Sequence, residues 1–87
     1  MRLAFDLETN GFMRQGFDTI HCLVTRDLDT NEVHVYNDQG THESISTGVS
    51  YLAEADLLVG HNIINYDIEV LHEMFPWFDA KGIELCD

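Results

Sequence analysis

Positive charge is what this chain has least of. Its 87 residues include four Lys plus Arg against sixteen Asp plus Glu, a formal net charge of −12. Arg2, Arg14, Arg26 and Lys81 form no cluster, which excludes an extended basic footprint for nucleic acid. It does not exclude a nucleic-acid enzyme in which metal ions supply positive charge at the phosphates, or one in which other parts of a larger protein hold the strand. Cysteine is also scarce: Cys22 and Cys86 lie far apart, with neither C-x-x-C nor C-x-x-H spacing. That argues against a disulfide framework and for buried free thiols in a reducing cytosol. His21, His34, His42 and His72 share no ligand spacing either, so zinc has little support. No apolar run approaches the ~18 residues needed to span a bilayer, and the chain starts on a strand rather than a signal peptide, so a cytoplasmic protein without a membrane segment is expected. Low-complexity stretches and internal repeats are missing too.

What is present belongs to a globular chain: 45% hydrophobic residues, Trp77, three Tyr and five Phe. At this length one domain is expected, burying roughly 60–65% of its unfolded surface and holding a thin stability margin. Residues 2–8 read as a buried strand. Residues 9–18 read as a loop with Gly11 and Gly16, tethered by Phe12 and Phe17. Ile20 to Thr25 and the alternating stretch around Val33 and Val35 read as second and third strands, joined by a tight turn from Asp27 to Asn31. Ile45, Val49 and Leu52 fall at helical spacing within residues 41–55, with Thr41 or Ser44 as caps. Asp56 to Gly60 lacks alternation, so this fourth strand should be covered on both faces and run parallel to the first. Ile68, Leu71, Met74 and Phe75 form the stripe of a second helix that Pro76 stops, and Gly82 to Cys86 is a fifth strand. The order predicts an α/β fold: an antiparallel meander of strands 1–3, then right-handed crossovers placing strands 1, 4 and 5 parallel, with two helices.

Two acidic elements then fall at one edge of that sheet. Asp6 and Glu8 alternate onto the same face of the first strand, about 7 Å apart, close enough to share a divalent ion. Acidic pairs at strand ends are common, and solvation alone is the plain alternative. Asp67 follows the polar turn His61-Asn62 and is expected in the first turn of the second helix, where the dipole and free N–H groups favour the ionised form a metal ligand needs. Complementing the helix start is the plain alternative there. First and fourth strands as neighbours bring both elements together where open α/β sheets place ligands.

Asp6-Leu7-Glu8-Thr9 resembles the first motif of the DEDD superfamily of 3′-5′ exonucleases, and Asn62-x-x-x-Tyr66-Asp67 resembles the second. The likeness is strongest to the N-terminal proofreading domains of family-A DNA polymerases from short-tailed bacteriophages, in which a His-Asn turn precedes Tyr-Asp as His61-Asn62 does here. The resemblance implies an RNase H-like fold, residues 1–87 being the N-terminal part of the exonuclease domain. It implies two-metal removal of nucleotides from DNA 3′ ends during DNA replication in an infected host's cytoplasm. It makes Asp6, Glu8 and Asp67 catalytic ligands of Mg2+ or Mn2+, and it sets Thr9 and Asn62 beside the terminal nucleotide. His61 could contact a phosphate, the plain alternative being that it satisfies local backbone groups at the turn, and Phe12, with Met13, could wedge against the last base, packing being the competing role for both. The expected partners are a single-stranded DNA 3′ end and the rest of a DNA polymerase.

The superfamily's third motif, a Tyr or His a few residues before a last metal-binding Asp, is not supplied after Asp67: Asp79 lacks helical context and Asp87 corresponds to a strand end. Weak metal binding and low or absent activity are therefore expected from this chain alone. Closely spaced anions should also repel and raise at least one carboxylate pKa. With fewer helices to cover the sheet, exposed apolar surface should favour self-association. Trp77 and Phe78 are expected to plug the core, base stacking being their alternative, and Glu69 and Glu73 to form a solvated face. The charge and the missing motif leave a second class open, a non-catalytic acidic remnant or nucleic-acid mimic that binds a partner's basic cleft.

Overall fold

The alternation of Leu3, Phe5 and Leu7 with Ala4, Asp6 and Glu8 decides how the first strand faces. In the computed structural model, which describes residues 1–9 and 20–87, β1 (Arg2–Thr9) buries the three large apolar side chains and turns Asp6 and Glu8 outward. Next, β2 (Ile20–Asp27) pairs antiparallel with β1, and β3 (Val33–Tyr36) pairs antiparallel with β2. The turn between them closes locally. The Asp27 carboxylate accepts from the N–H groups of Asp29 and Thr30 at 2.8 and 3.1 Å, and Asn31 takes the left-handed conformation at φ 65.

Helix α1 (Ile45–Leu52) starts at Ser44, whose hydroxyl accepts from the Thr47 N–H at 3.2 Å. Strand β4 (Leu57–Val59) then runs parallel beside β1. A π-helical turn (Ile63–Asp67) leads directly into α2 (Ile68–Met74). Finally, β5 (Glu84–Cys86) runs parallel to β4. The sheet order is β3-β2-β1-β4-β5. Among the described residues this is the expected mixed α/β architecture: strands 1–3 antiparallel, strands 1, 4 and 5 parallel, and two α-helices, consistent with an RNase H-like fragment.

Both helices feed one core. Ile45, Val49 and Leu52 of α1 and Val70 and Leu71 of α2 join Leu3, Phe5, Leu23, Leu58 and Phe78 in it, each large apolar side chain contributing about 1.5–3 kcal/mol. At Gly48 a Cβ would stand 2.6 Å from the side chains of Leu23 and Tyr36, so α1 sits as close to the sheet as it does only because that position is glycine. The opposite sheet face carries Ala4, Val24 and Val59, only partly buried, around a shallow groove of about 220 Å³ that Asp6 and Arg26 border.

Several expectations need correction. The expected α1 range of 41–55 shrinks to Ile45–Leu52, because Asp38 and Ser44 engage the first turn from outside it. Of the two thiols, Cys22 is half-buried but Cys86 is exposed, since β5 turns Cys86 to the open face alongside Val59. Phe78 does plug the core at 1% exposure, whereas Trp77 is 53% exposed and rests edge-on against Phe75. Glu69 and Glu73 are solvated. The loop of residues 10–19, with Phe12, Met13 and Phe17, lies outside the described residues. No helix among the described residues is long and apolar enough to cross a membrane.

Candidate metal and catalytic site

Parallel pairing of Leu3 with Leu58 and Ala4 with Val59 puts the C-terminal ends of β1 and β4 at the same sheet edge. One chain end delivers Asp6, Glu8 and Thr9; the other turns through Gly60, His61 and Asn62 into the helical segment bearing Asp67. Gly60 is what allows the turn. A Cβ there would lie 2.4 Å from Ile63 Cγ2 and 2.8 Å from the Phe5 carbonyl oxygen, so the backbone passes β1 at a distance no other residue permits. Asn62 then adopts φ 58, ψ 33, a left-handed geometry that asparagine tolerates better than most side chains, and Ile63 is locked into the core with no exposure. The helix ends as Pro76 requires, with Phe75 pushed to φ −130, ψ 81.

The π turn changes the role expected for Asp67. Asp67 closes the π turn and stands at the N-cap position of α2, as expected, but its side chain caps nothing. Its carboxylate is 5% exposed. Burial, first, and then the neighbouring Asp6 and Asp87 push its pKa from an ordinary 3.8 up to about 6, while His61 and a hydrogen bond from the Leu7 backbone N–H pull it down. The expected preference for the ionised form is therefore reversed: desolvation and like charge outweigh the helix field. The expected mutual repulsion among closely spaced anions is what appears.

Of the three predicted carboxylates, the structure brings Asp6 and Asp67 into electrostatic contact. Glu8 shares the outward face of Asp6, and the two together help burial to raise the Cys22 thiol pKa. Thr9 is tied to the second element: its hydroxyl and that of Tyr66 lie 2.7 Å apart in a hydrogen bond. His61 and Asn62 are exposed at the rim. Phe12 is outside the described residues. Sequence reasoning missed Asp87, whose carboxylate accepts from the Ile63 N–H at 2.5 Å. The signal was available, since β5 pairs parallel with β4 and the residue after β5 must arrive beside the turn after β4.

Carboxylate oxygens are the hard donors that Mg2+ or Mn2+ takes, and a cation would relieve the repulsion around Asp67. The donor chemistry fits such an ion. In number the set is short: among the described residues no three His, Cys, Asp or Glu side chains are gathered to hold one ion.

No protein-family model and no curated protein matches the chain. Among solved structures, its fold is similar to part of the family B DNA polymerase from the hyperthermophilic archaeon Pyrobaculum calidifontis, with a TM-score of 0.60 at 22% identity. The match covers 92% of this chain and 11% of that polymerase, so the chain spans a small fraction of its length and the likeness is one of fold.

Proposed function

We propose that this chain is the N-terminal part of a polymerase-associated 3′-5′ exonuclease domain of the DEDD type, acting on DNA 3′ ends. The observation that carries this reading is the buried Asp67 carboxylate, held beside Asp6 with no ion pair to a Lys or Arg among the described residues, and raised to a pKa of about 6. Strained anions of this kind concentrate at functional sites. Asp6 and Asp67, which lie in electrostatic contact, would hold Mg2+ or Mn2+, with Glu8 completing the set on closure around the ion. Such an ion, when bound, activates water and neutralises charge on the phosphate. Thr9, fixed through Tyr66, and Asn62 flank the terminal nucleotide, and His61 reaches a phosphate. Because the third motif is missing, binding is weak and turnover low unless further polymerase segments complete the site. The half-exposed apolar sheet face supports cover by those segments or by a second copy.

The test compares manganese-dependent trimming of a single-stranded oligonucleotide by the chain and by Asp6→Ala, alongside manganese titration of each followed by NMR. Metal-induced shifts at Asp67 that Asp6→Ala abolishes support the reading. Identical behaviour of the two proteins removes it and leaves the second one, a non-catalytic acidic protein, which the −12 charge favours.

A further inference from the structure

We propose that Asp87 is a positioning residue of the site: by accepting the Ile63 N–H it anchors the π-helical turn and so fixes where Asp67 stands relative to Asp6. This deepens, and rests on, the metal-site reading above. The geometry is a three-sided clamp. Behind the turn, Gly60 lies so close to the Phe5 carbonyl that the chain cannot retreat. Below it, Ile63 is fully buried. From the side, the Gly60 N–H donates to the Cys86 carbonyl at 3.1 Å, and one residue later the Asp87 carboxylate takes the Ile63 N–H at 2.5 Å.

That N–H opens a helical segment and has no partner within it. Without Asp87 it is left on a part-buried backbone, where an unmet donor is costly. Ile63 to Asp67 is a single π turn, closed by the Ile68 N–H on the Ile63 carbonyl. Such turns are rare, and the local alternative is α-helical. Rewinding it would rotate Asp67, at its far end, away from the Leu7 N–H and from Asp6. Tyr66 would move with it and release Thr9. Asp87 thus couples the end of β5 to both motifs without touching substrate.

The experiment uses the full chain with Asp87→Ala, which removes charge and acceptor, and Asp87→Asn, which keeps an acceptor oxygen and removes charge. Two measurements are made where each variant is fully folded: amide hydrogen exchange over residues 63–67, and affinity for Mn2+ alone. We expect exchange to quicken and manganese affinity to fall, each by about tenfold, in Asp87→Ala, with Asp87→Asn within about threefold of the parent, because the hydrogen bond and not the charge sets the turn. Unchanged exchange in Asp87→Ala overturns the clamp. Faster exchange with unchanged manganese affinity overturns positioning and leaves a purely structural bond. If Asp87→Asn loses manganese as fully as Asp87→Ala, the charge acts directly and the proposal fails. A parent chain that binds no manganese defeats the metal-site reading itself, and is recognised by Asp6→Ala being equally silent.

Discussion

The two ends of the sheet carry aspartates in opposite circumstances. At the end where β1 begins, two cations are paired with carboxylates. The N-terminal ammonium pairs with Asp56, and the Arg2 guanidinium holds Asp29 at 2.6 Å, lowering the Asp29 pKa and raising that of the ammonium. At the end where β1 and β4 finish, Asp67 is buried beside Asp6 and Asp87, and among the described residues His61 alone offers it an opposing charge. The first end is a solvated surface arranged to be comfortable. The second sets two exposed carboxylates, Asp6 and Asp87, beside the buried Asp67 at a cost to the fold. With four Lys plus Arg in the chain, the ion pairs with Lys, Arg or the N-terminus that the described residues show are at the first end.

The largest expected effect comes from breaking the backbone approach that creates the anionic end. Gly60→Ala puts a methyl group into Ile63 and the Phe5 carbonyl, and backbone cannot yield as a side-chain tip can. The loss should be about 3 kcal/mol by chemical denaturation, with the Asp67 environment disturbed. A loss below about 1 kcal/mol would mean that the turn is softer than its packing implies.

Next in size is the strain at Asp67 itself. A folded-state pKa of about 6 against an ordinary 3.8 means that the folded chain binds the proton more tightly than the unfolded one. Stability is then highest below pH 4 as far as this group is concerned, and falls as pH rises through about 6. The full shift corresponds to about 3 kcal/mol, which partial solvent screening of the charges around Asp67 reduces to about 2. Asp67→Asn should therefore stabilise the metal-free chain by about 2 kcal/mol at pH 7.5 and leave it little changed at pH 4, while abolishing any metal-induced shift. Urea titrations at the two pH values measure this. Destabilisation at pH 7.5 would show that the Leu7 hydrogen bond outweighs the repulsion.

This contrast also marks what was legible in the sequence. Alternation in β1 and the unbroken apolar run of β4 gave the sheet order, and helical spacing gave α1 and α2, because burial decides those positions and burial follows hydrophobicity. The D-x-E spacing correctly put Asp6 and Glu8 on one outward face. The π turn was not legible: the Ile63-Ile64 pair reads equally as helix or strand, and the choice was made by Gly60 packing on Phe5 and by Asp87, 24 residues later. The ionised form expected for Asp67 failed for a related reason: burial first, and then Asp6 and Asp87, outweigh the field of the helix start. Trp77 and Phe78 were indistinguishable by type. Only the chain direction after Pro76 exposes one and buries the other.

A divalent cation should narrow the difference between the ends. At ten times its dissociation constant, Mg2+ or Mn2+ adds about 1.4 kcal/mol to the folded state, and the gain should shrink at pH 5, where Asp67 is largely protonated and must lose its proton to bind. Thermal melts with and without metal at pH 5 and 7.5 separate this from general salt screening, which would act at both pH values. Equal stabilisation at the two would place the ion away from Asp67.

The smallest effect is expected at the satisfied end. Arg2 and Asp29 are both about half exposed, and an exposed pair gains little because water solvates its partners nearly as well as they solvate each other. Asp29→Asn also leaves the turn intact, since the local bonds there are made by the Asp27 carboxylate. The melting temperature should stay within about 2 °C of the parent between pH 5 and 8. If Asp29→Asn instead moved stability as much as Asp67→Asn does, burial would not be what distinguishes the two ends, and the strain at Asp67 would be a property of net charge spread over the whole chain rather than of one site.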